Sequence, residues 1–390
     1  SLKYICFSNH NLLMFFMLQN YLPELSAIVF GFFVILQLLY YWLIFARFSF
    51  HKPTKIKDIQ QKPVSIVVSA KNEAHNLIKS LPVLLTQQYN EFEVVLVNDN
   101  SNDETEQVIR DFMSTYPHLK LVNLTSSVTN IQGKKFPLSI GIKSASYDTI
   151  LLTDADCVPS SSYWLQNMAK HFVGKTEIVL GYSTFEKKKG FLNMMIHYDT
   201  LHSAIHYFSY ALAKIPYMGV GRNLAYSKSL FYHQRGFASH NHIKYGDDDI
   251  FVNRAANDRN CDIEYFKGAF TVSRPKSGFK SWFLQKKHHT STRRFYKPKH
   301  KFLLNFYGSL MLLFYILFAV AIIYTRYDYV LLSVVIALFV FKSAMQYVIF
   351  GMAAAKLDEK RIVPYILIFD ILFSVLNPFI FLTSNLFQKK

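Results

Sequence analysis

Two clusters of carboxylates carry residue types and spacings that could do chemistry. Thr153-Asp154-Ala155-Asp156-Cys157 follows the apolar run Ile150-Leu151-Leu152, so two acids one residue apart close what reads as a buried strand. A desolvated carboxylate is costly unless something positive meets it. The pair is either a solvated turn at an exposed strand end or a holder of a hard divalent cation, which favours carboxylate oxygens. Gly246-Asp247-Asp248-Asp249-Ile250-Phe251 places three adjacent acids ahead of an apolar helix start. Adjacent carboxylates repel, which raises the pKa of one of them. That suits a general base for a hydroxyl. The plainer reading is a solvated, acid-rich helix N-terminus.

The elements that must position these acids alternate. Val64 to Ser69, Glu91 to Val97, Leu119 to Leu124 and Thr149 to Thr153 read as β-branched or apolar strands. Helical stretches are expected over Ala74 to Gln87, Glu104 to Tyr116 and Ile140 to Ser146. This alternation predicts an open, largely parallel α/β sheet, in which ligands bind beyond the carboxyl ends of the strands. Asn72, Asp99 and Asp154 stand at such ends. Phe191 to Leu212 carries apolar residues at helical spacing, for a helix that either covers the sheet or lies against a bilayer. His197, His202 and His206 on it read as core or surface histidines, with no metal-ligand pattern beside them.

The 390 residues are 51% hydrophobic and carry a formal net charge of +17. Glu24 to Ala46, Lys301 to Thr325, Tyr329 to Ala355 and Ile362 to Phe387 are each long and apolar enough to span a bilayer. Residues 1–23 form an N-terminal segment of interfacial character, and residues 47–300 are long enough for one soluble domain with its own core. The basic residues track membrane boundaries: Arg47 to Lys62, Lys286 to Lys301, and Lys356 to Arg361. That placement argues against nucleic-acid binding and puts the soluble domain and the 356–361 loop in the cytoplasm. Cys6, Cys157 and Cys261 lack metal spacing and read as free thiols.

Several motifs then occur in a recognisable order. Ala70-Lys71-Asn72-Glu73 resembles an A-x-N-E segment. Val97-Asn98-Asp99-Asn100-Ser101-Asn102-Asp103 resembles V-D-D-G-S-x-D, with Asn98 and Asn100 as departures. Gly133-Lys134 resembles a G-K segment, Asp154-Ala155-Asp156 matches D-x-D, and Asp247-Asp248 resembles an E-D pair. Gln285 to His289 resembles a Q-x-x-R-W region in which His288 and His289 replace Arg and Trp. Together these resemble a membrane-anchored family 2 glycosyltransferase of GT-A fold, over about residues 63–295.

The resemblance implies a mixed, mostly parallel sheet with flanking helices, plus transmembrane helices. It implies an inverting transfer of sugar from a nucleotide-sugar donor to a membrane-associated acceptor, either a lipid or a saccharide. Ala70, Asn72, Glu73, Asp99, Lys134 and Asp154 would line the nucleotide-sugar pocket. Asp154 and Asp156 would hold Mg²⁺ or Mn²⁺. Asp248 would be the base, beside Asp247. Gly219, Asn223, Gln285, His288, Arg293 and Arg294 would face the acceptor and the diphosphate. It implies an integral protein of a bacterial inner membrane, in contact with its lipids. A processive polysaccharide synthase is the alternative, and a transporter with a nucleotide-sensing domain is a more distant one. Within the spans, Lys342, Gln346 and Asp370 are expected to form a buried polar cluster between the third and fourth helices.

Overall fold

The computed structural model describes residues 2–53, 61–124 and 133–386, with side chains from 21 to 384. Lys55, Lys57 and Phe387 lie outside the described residues, as do the side chains of the N-terminal segment, that of Cys6 among them. The strands are β1 (Val64–Ala70), β2 (Phe92–Asp99), β3 (Leu119–Leu124), β4 (Thr149–Asp154), β5 (Val158–Pro159), β6 (Ile178–Leu180), β7 (Ser183–Phe185), β8 (Leu224–Ser227), β9 (Cys261–Ile263) and β10 (Thr271–Ser273). The main sheet runs β3-β2-β1-β4-β8-β6-β9. Its first four strands are parallel, and β8 is antiparallel to both neighbours. A small second sheet, β5-β10-β7, closes one side.

The run Val64-Ser65-Ile66-Val67-Val68 forms the central strand because it is apolar on both faces. Ile66 and Val68 pack with Leu77, Leu81 and Leu84 of the Ala74–Leu85 helix, whereas Val67 points the other way, towards Leu138 and Ile142. The helix over 140–146 begins earlier than its sequence suggested, as Lys135–Ser144. Pro137 falls in its first turn, where a missing N–H costs nothing.

Among the described residues, four helices are long and apolar enough to cross a membrane: Tyr21–Ser49, Pro298–Thr325, Tyr329–Lys356 and Lys360–Ser384. The first continues from a helix that starts at Leu2, so backbone from 2 to 23 is continuous with the span. The Phe191–Leu212 helix covers the sheet and also touches the spans. Met195, Leu201, Ile205 and Phe208 share one buried cluster with Val67 and Leu152 of the sheet and Phe350, Phe369 and Phe373 of the third and fourth spans. A helix buried on most sides needs no solvent face. His197 on it is fully buried and bonds Glu359 at 2.8 Å, as a core histidine.

The loop between the third and fourth spans clamps the two parts. Asp358 pairs with Lys187 (2.9 Å) and Lys267 (3.1 Å), and Arg361 donates to Asn193 (2.9 Å). The soluble domain and this loop therefore share one side of the membrane helices.

Lys342, Gln346 and Asp370 come together as their sequence suggested. Lys342 Nζ lies 3.6 Å from Asp370 and donates to Gln346 Oε1 at 2.8 Å, and Tyr315 donates to Asp370 at 2.5 Å. Lys342 and Asp370 are about 1% exposed or less, and no member of the trio lines the cavity described below. A sealed cluster of this kind sets helix register. Replacing both charges, Lys342→Met with Asp370→Leu, is expected to leave folding and activity intact. Lys342→Met alone should destabilise by about 3–5 kcal/mol, because Asp370 then loses its cation. Thermal unfolding in detergent measures both. Loss of transfer by the double variant, with nucleotide binding kept, would contradict the register role.

Candidate active site

β2, β1 and β4 end side by side: Ala70 pairs with Asn98, and Ser69 with Asp154. Asp99 and Asp154 therefore stand roughly 10 Å apart, two strand spacings. The turn after β2 passes through Asn100 at φ +50°, which Asn tolerates in place of glycine. Asn98 is buried and bonds Asn123 (3.0 Å) and the Ser101 amide (3.2 Å), so it shapes the turn. Asn72, at φ +56°, accepts from the Asn102 amide (2.8 Å), and its own amide donates to Ser101 Oγ (2.9 Å). Glu73 accepts from Asn76 at 2.6 Å. Asn72 thus ties the two strand-end loops together, beside Ala70 and the half-buried Asp99. Among the described residues, Asp99 has only an exposed Lys71 ammonium at 3.5 Å. Such a pair is weak and open to exchange with a ligand.

Lys134 donates to Asp154 Oδ1 at 2.8 Å. Burial alone would raise the Asp154 pKa, but Lys134 outweighs it and the carboxyl stays ionised, below its ordinary range. Lys134 is correspondingly pushed up by Asp154 against its own desolvation, with Asp247 and Asp156 adding to the effect. Asp156 accepts from Ser273 Oγ at 2.9 Å. Asp154, Asp156 and Cys157 place one ligand atom each within 4.8 Å of one another. Burial holds the Cys157 thiol far above its ordinary pKa, so it stays neutral and the two carboxylates are the available donors. Gly133 permits the approach: it sits at φ +86°, and a Cβ there would collide with the Lys244 carbonyl.

Asp248 is held by backbone. Its Oδ2 accepts from the Gly221 amide (2.8 Å) and its Oδ1 from the Asp249 amide (2.7 Å). Burial, then the Asp248 charge, push Asp247 up to about 7, with Lys134 acting the other way. Asp249 is also pushed up to about 7 by burial and Asp248, and it accepts from Tyr296 (2.7 Å) and from Thr292. Three adjacent acids therefore have three different environments: Asp249 is an anchor, Asp247 faces Lys134, and Asp248 is oriented.

A cavity of about 270 Å³ opens at Asp248. Its walls come from the Phe191–Leu212 helix, the Phe279–Thr292 helix, and the second and fourth spans. Of the residues expected on the acceptor side, Gln285 and Arg293 line it. Four other expected residues do not. Asn223 is fully buried, and its amide is used up by Trp164 (3.0 Å) and the carbonyls of Tyr182 and Ala269 (2.8 Å each). Gly219 packs against Leu224, Leu180 and Val252, and it is Gly221 that meets Asp248. His288 stacks on Tyr245 at 4.6 Å, and Arg294 is exposed over Phe295 at 4.5 Å. Lys286, His289, Thr290 and Arg293 line the cavity at i, i+3, i+4 and i+7, one helix face, and residue 288 falls beside it.

Residues 65–234 match the model of Glycosyl transferase family 2. That segment, somewhat under half of the chain, is similar to glycosyltransferase family 2. Poly-beta-1,6-N-acetyl-D-glucosamine synthase of Staphylococcus epidermidis is 31% identical over 127 residues, which are 30% of each chain. The synthase of the same name from Staphylococcus aureus is 27% identical over 127 residues, 32% of this chain and 30% of the relative. The match thus spans less than a third of the length of these curated relatives. A solved mannosyltransferase from Pyrobaculum calidifontis, in complex with GDP-Man and Mn²⁺, shares the fold. Its TM-score is 0.55 at 20% identity, covering 90% of this chain and 99% of that one. The mixed sheet and its helices are accordingly of GT-A type.

Three residues of the site escaped the sequence reading. Arg222 lies between Gly219 and Asn223, both expected to face the acceptor, and it lines the cavity with its guanidinium 4.3 Å over Phe185. His289 fills the tryptophan position of the Q-x-x-R-W resemblance and faces Asp248, while burial holds its pKa down. Lys135, one residue after the expected Lys134, is buried and donates to the carbonyls of His240 (3.1 Å), Ile243 and Tyr245 (2.7 Å). It fixes the loop that leads into Asp247. Its dipeptide with Lys134 was the only available signal.

Proposed function

We propose that this enzyme moves a sugar from a nucleotide-sugar donor to a membrane-associated acceptor, with inversion, at the cytoplasmic face of a bacterial membrane. One observation carries the reading. The cavity that starts at the oriented Asp248 runs between helices of the catalytic domain into the second and fourth spans.

Asp99 would hold the base and ribose, and Lys134 would meet the diphosphate as a point charge. Asp154 and Asp156 would hold Mg²⁺ or Mn²⁺. The donor set fits, being two ionisable carboxylates with a neutral thiol behind them and no competing soft ligand. When bound, such a cation offsets charge on the leaving diphosphate. Asp248 accepts the proton of the attacking hydroxyl. Its two backbone hydrogen bonds hold the carboxylate in one orientation. Asp249, through Thr292 and Tyr296, ties that orientation to the end of the Phe279–Thr292 helix. Basic residues at the membrane boundaries support the cytoplasmic placement.

The experiment uses purified full-length protein in lipid vesicles with radiolabelled UDP- and GDP-sugars. Divalent-dependent release of nucleoside diphosphate from one of them is expected. Absence of both transfer and donor hydrolysis across the donors would overturn the reading.

A further inference from the structure

The cavity has two chemically different ends. At the Asp248 end, Arg222 and Arg293 have no hydrogen-bond or ion-pair partner among the described residues. Each only faces a ring, Phe185 at 4.3 Å and Phe381 at 5.9 Å. Arg222 Nη1 is buried without an acceptor. The third base on the wall, Lys286, is already neutralised by Asp199 at 2.7 Å. A guanidinium withdrawn from water without a counter-ion is costly, and its fork suits phosphate oxygens. Neither guanidinium thus has an acceptor among the described residues, whereas the wall acids already have their donors: Asp199 has Lys286, and Asp248 has two backbone amides. Asp249 is engaged likewise, by Thr292, Tyr296 and the Ile250 amide.

At the other end the wall is mostly apolar, with Tyr307, Ser374 and Asn377 as its polar groups. Leu304 and Met311 of the second span face Phe373 and Pro378 of the fourth. Leu304 to Met311 covers about 10 Å of helix. A Cβ added at Gly308, which lines this end, would meet nothing within 4 Å. Such a wall suits hydrocarbon better than a hydrated glycan.

Resting on the glycosyl-transfer reading above, we propose that the acceptor is an anionic lipid bearing a free hydroxyl. Its charged group meets Arg222 and Arg293, its hydroxyl lies at Asp248, and its hydrocarbon enters between the second and fourth spans. In the step, the hydroxyl oxygen forms a bond to the anomeric carbon as the bond from that carbon to the diphosphate breaks. The hydroxyl proton goes to Asp248, and the electron pair leaves with the nucleoside diphosphate.

The test gives full-length protein in vesicles a labelled sugar nucleotide that it turns over, with three acceptors in separate arms. Phosphatidylglycerol has charge, hydroxyl and tail; diacylglycerol lacks the charge; glycerol 3-phosphate lacks the tail. Labelling of phosphatidylglycerol at least tenfold above the other two is expected. Arg293→Gln should raise the KM for phosphatidylglycerol at least tenfold. Gly308→Leu, which fills the apolar end, should cut lipid labelling while nucleotide binding persists. Equal labelling of diacylglycerol, or of glycerol 3-phosphate, would overturn the proposal. So would donor hydrolysis, or growth of a water-soluble glycan, without labelled lipid. In those cases the glycosyl-transfer reading still stands, whereas no donor cleavage in any arm would remove that reading first.

Discussion

Asp156→Ala is expected to abolish sugar transfer and leave the protein folded. Asp156 closes the strand-end turn with one oxygen bonded to Ser273 and stands with Asp154 in the only group of this kind among the described residues. Losing the Ser273 bond costs about 1 kcal/mol, since the hydroxyl can turn to water. If Asp154 and Asp156 hold the cation as proposed, losing one carboxylate removes several kcal/mol of charge stabilisation from the departing diphosphate. At 1.4 kcal/mol per factor of ten, this corresponds to about 10³-fold or more in rate. Transfer by the wild-type chain should likewise vanish with EDTA and return with Mg²⁺ or Mn²⁺. The measurements are initial rates with and without chelator, and the unfolding temperature of the variant. Full turnover in chelator would remove the cation from the mechanism.

Asp248→Asn should slow the chemical step by ~10²-fold or more, the usual range for loss of a general base. The substitution keeps the shape, so the turn before the Asp249–Ala255 helix should survive. The carboxamide turns one NH₂ towards the amide of Gly221 or Asp249, which both donate now. Nucleotide-sugar affinity should barely change, because the residues proposed to hold the donor are Asp99, Lys134 and Asp154. Single-turnover rates and equilibrium nucleotide binding separate the two effects. Collapse of nucleotide binding would show that Asp248 serves the donor. Asp247 and Asp249 should matter less to the chemical step. Asp249→Ala should instead cost about 1–3 kcal/mol of stability, since the hydroxyls of Thr292 and Tyr296 lose their acceptor.

Much of this protein is legible in its sequence because the signals are local. The β-branched run at Val64, the strand at Thr149 and the acids that follow each strand need only neighbours in the chain to be read. The four apolar stretches are similarly local, and their lengths are set by the bilayer rather than by partners. Even the pairing of Lys342 with Asp370 follows from composition, since two charges inside a membrane have few alternatives to each other.

What only the tertiary structure decided are the side-chain directions around Asp248. Gly219 and Gly221, or His288 and His289, differ by one or two positions in sequence. Which of each pair reaches the base depends on the rotation of a helix or loop, and packing sets that rotation. Asn223 has the right type for a sugar contact, yet Trp164 and two carbonyls, distant in sequence, consume its amide. The use of Arg222 was also out of reach, because an unpartnered guanidinium is defined by what surrounds it. The cavity itself joins four helices spread from residue 196 to residue 378, and no local pattern records that they meet. Periodicity says which face of a helix is apolar; only the packing of the other helices says what that face encloses.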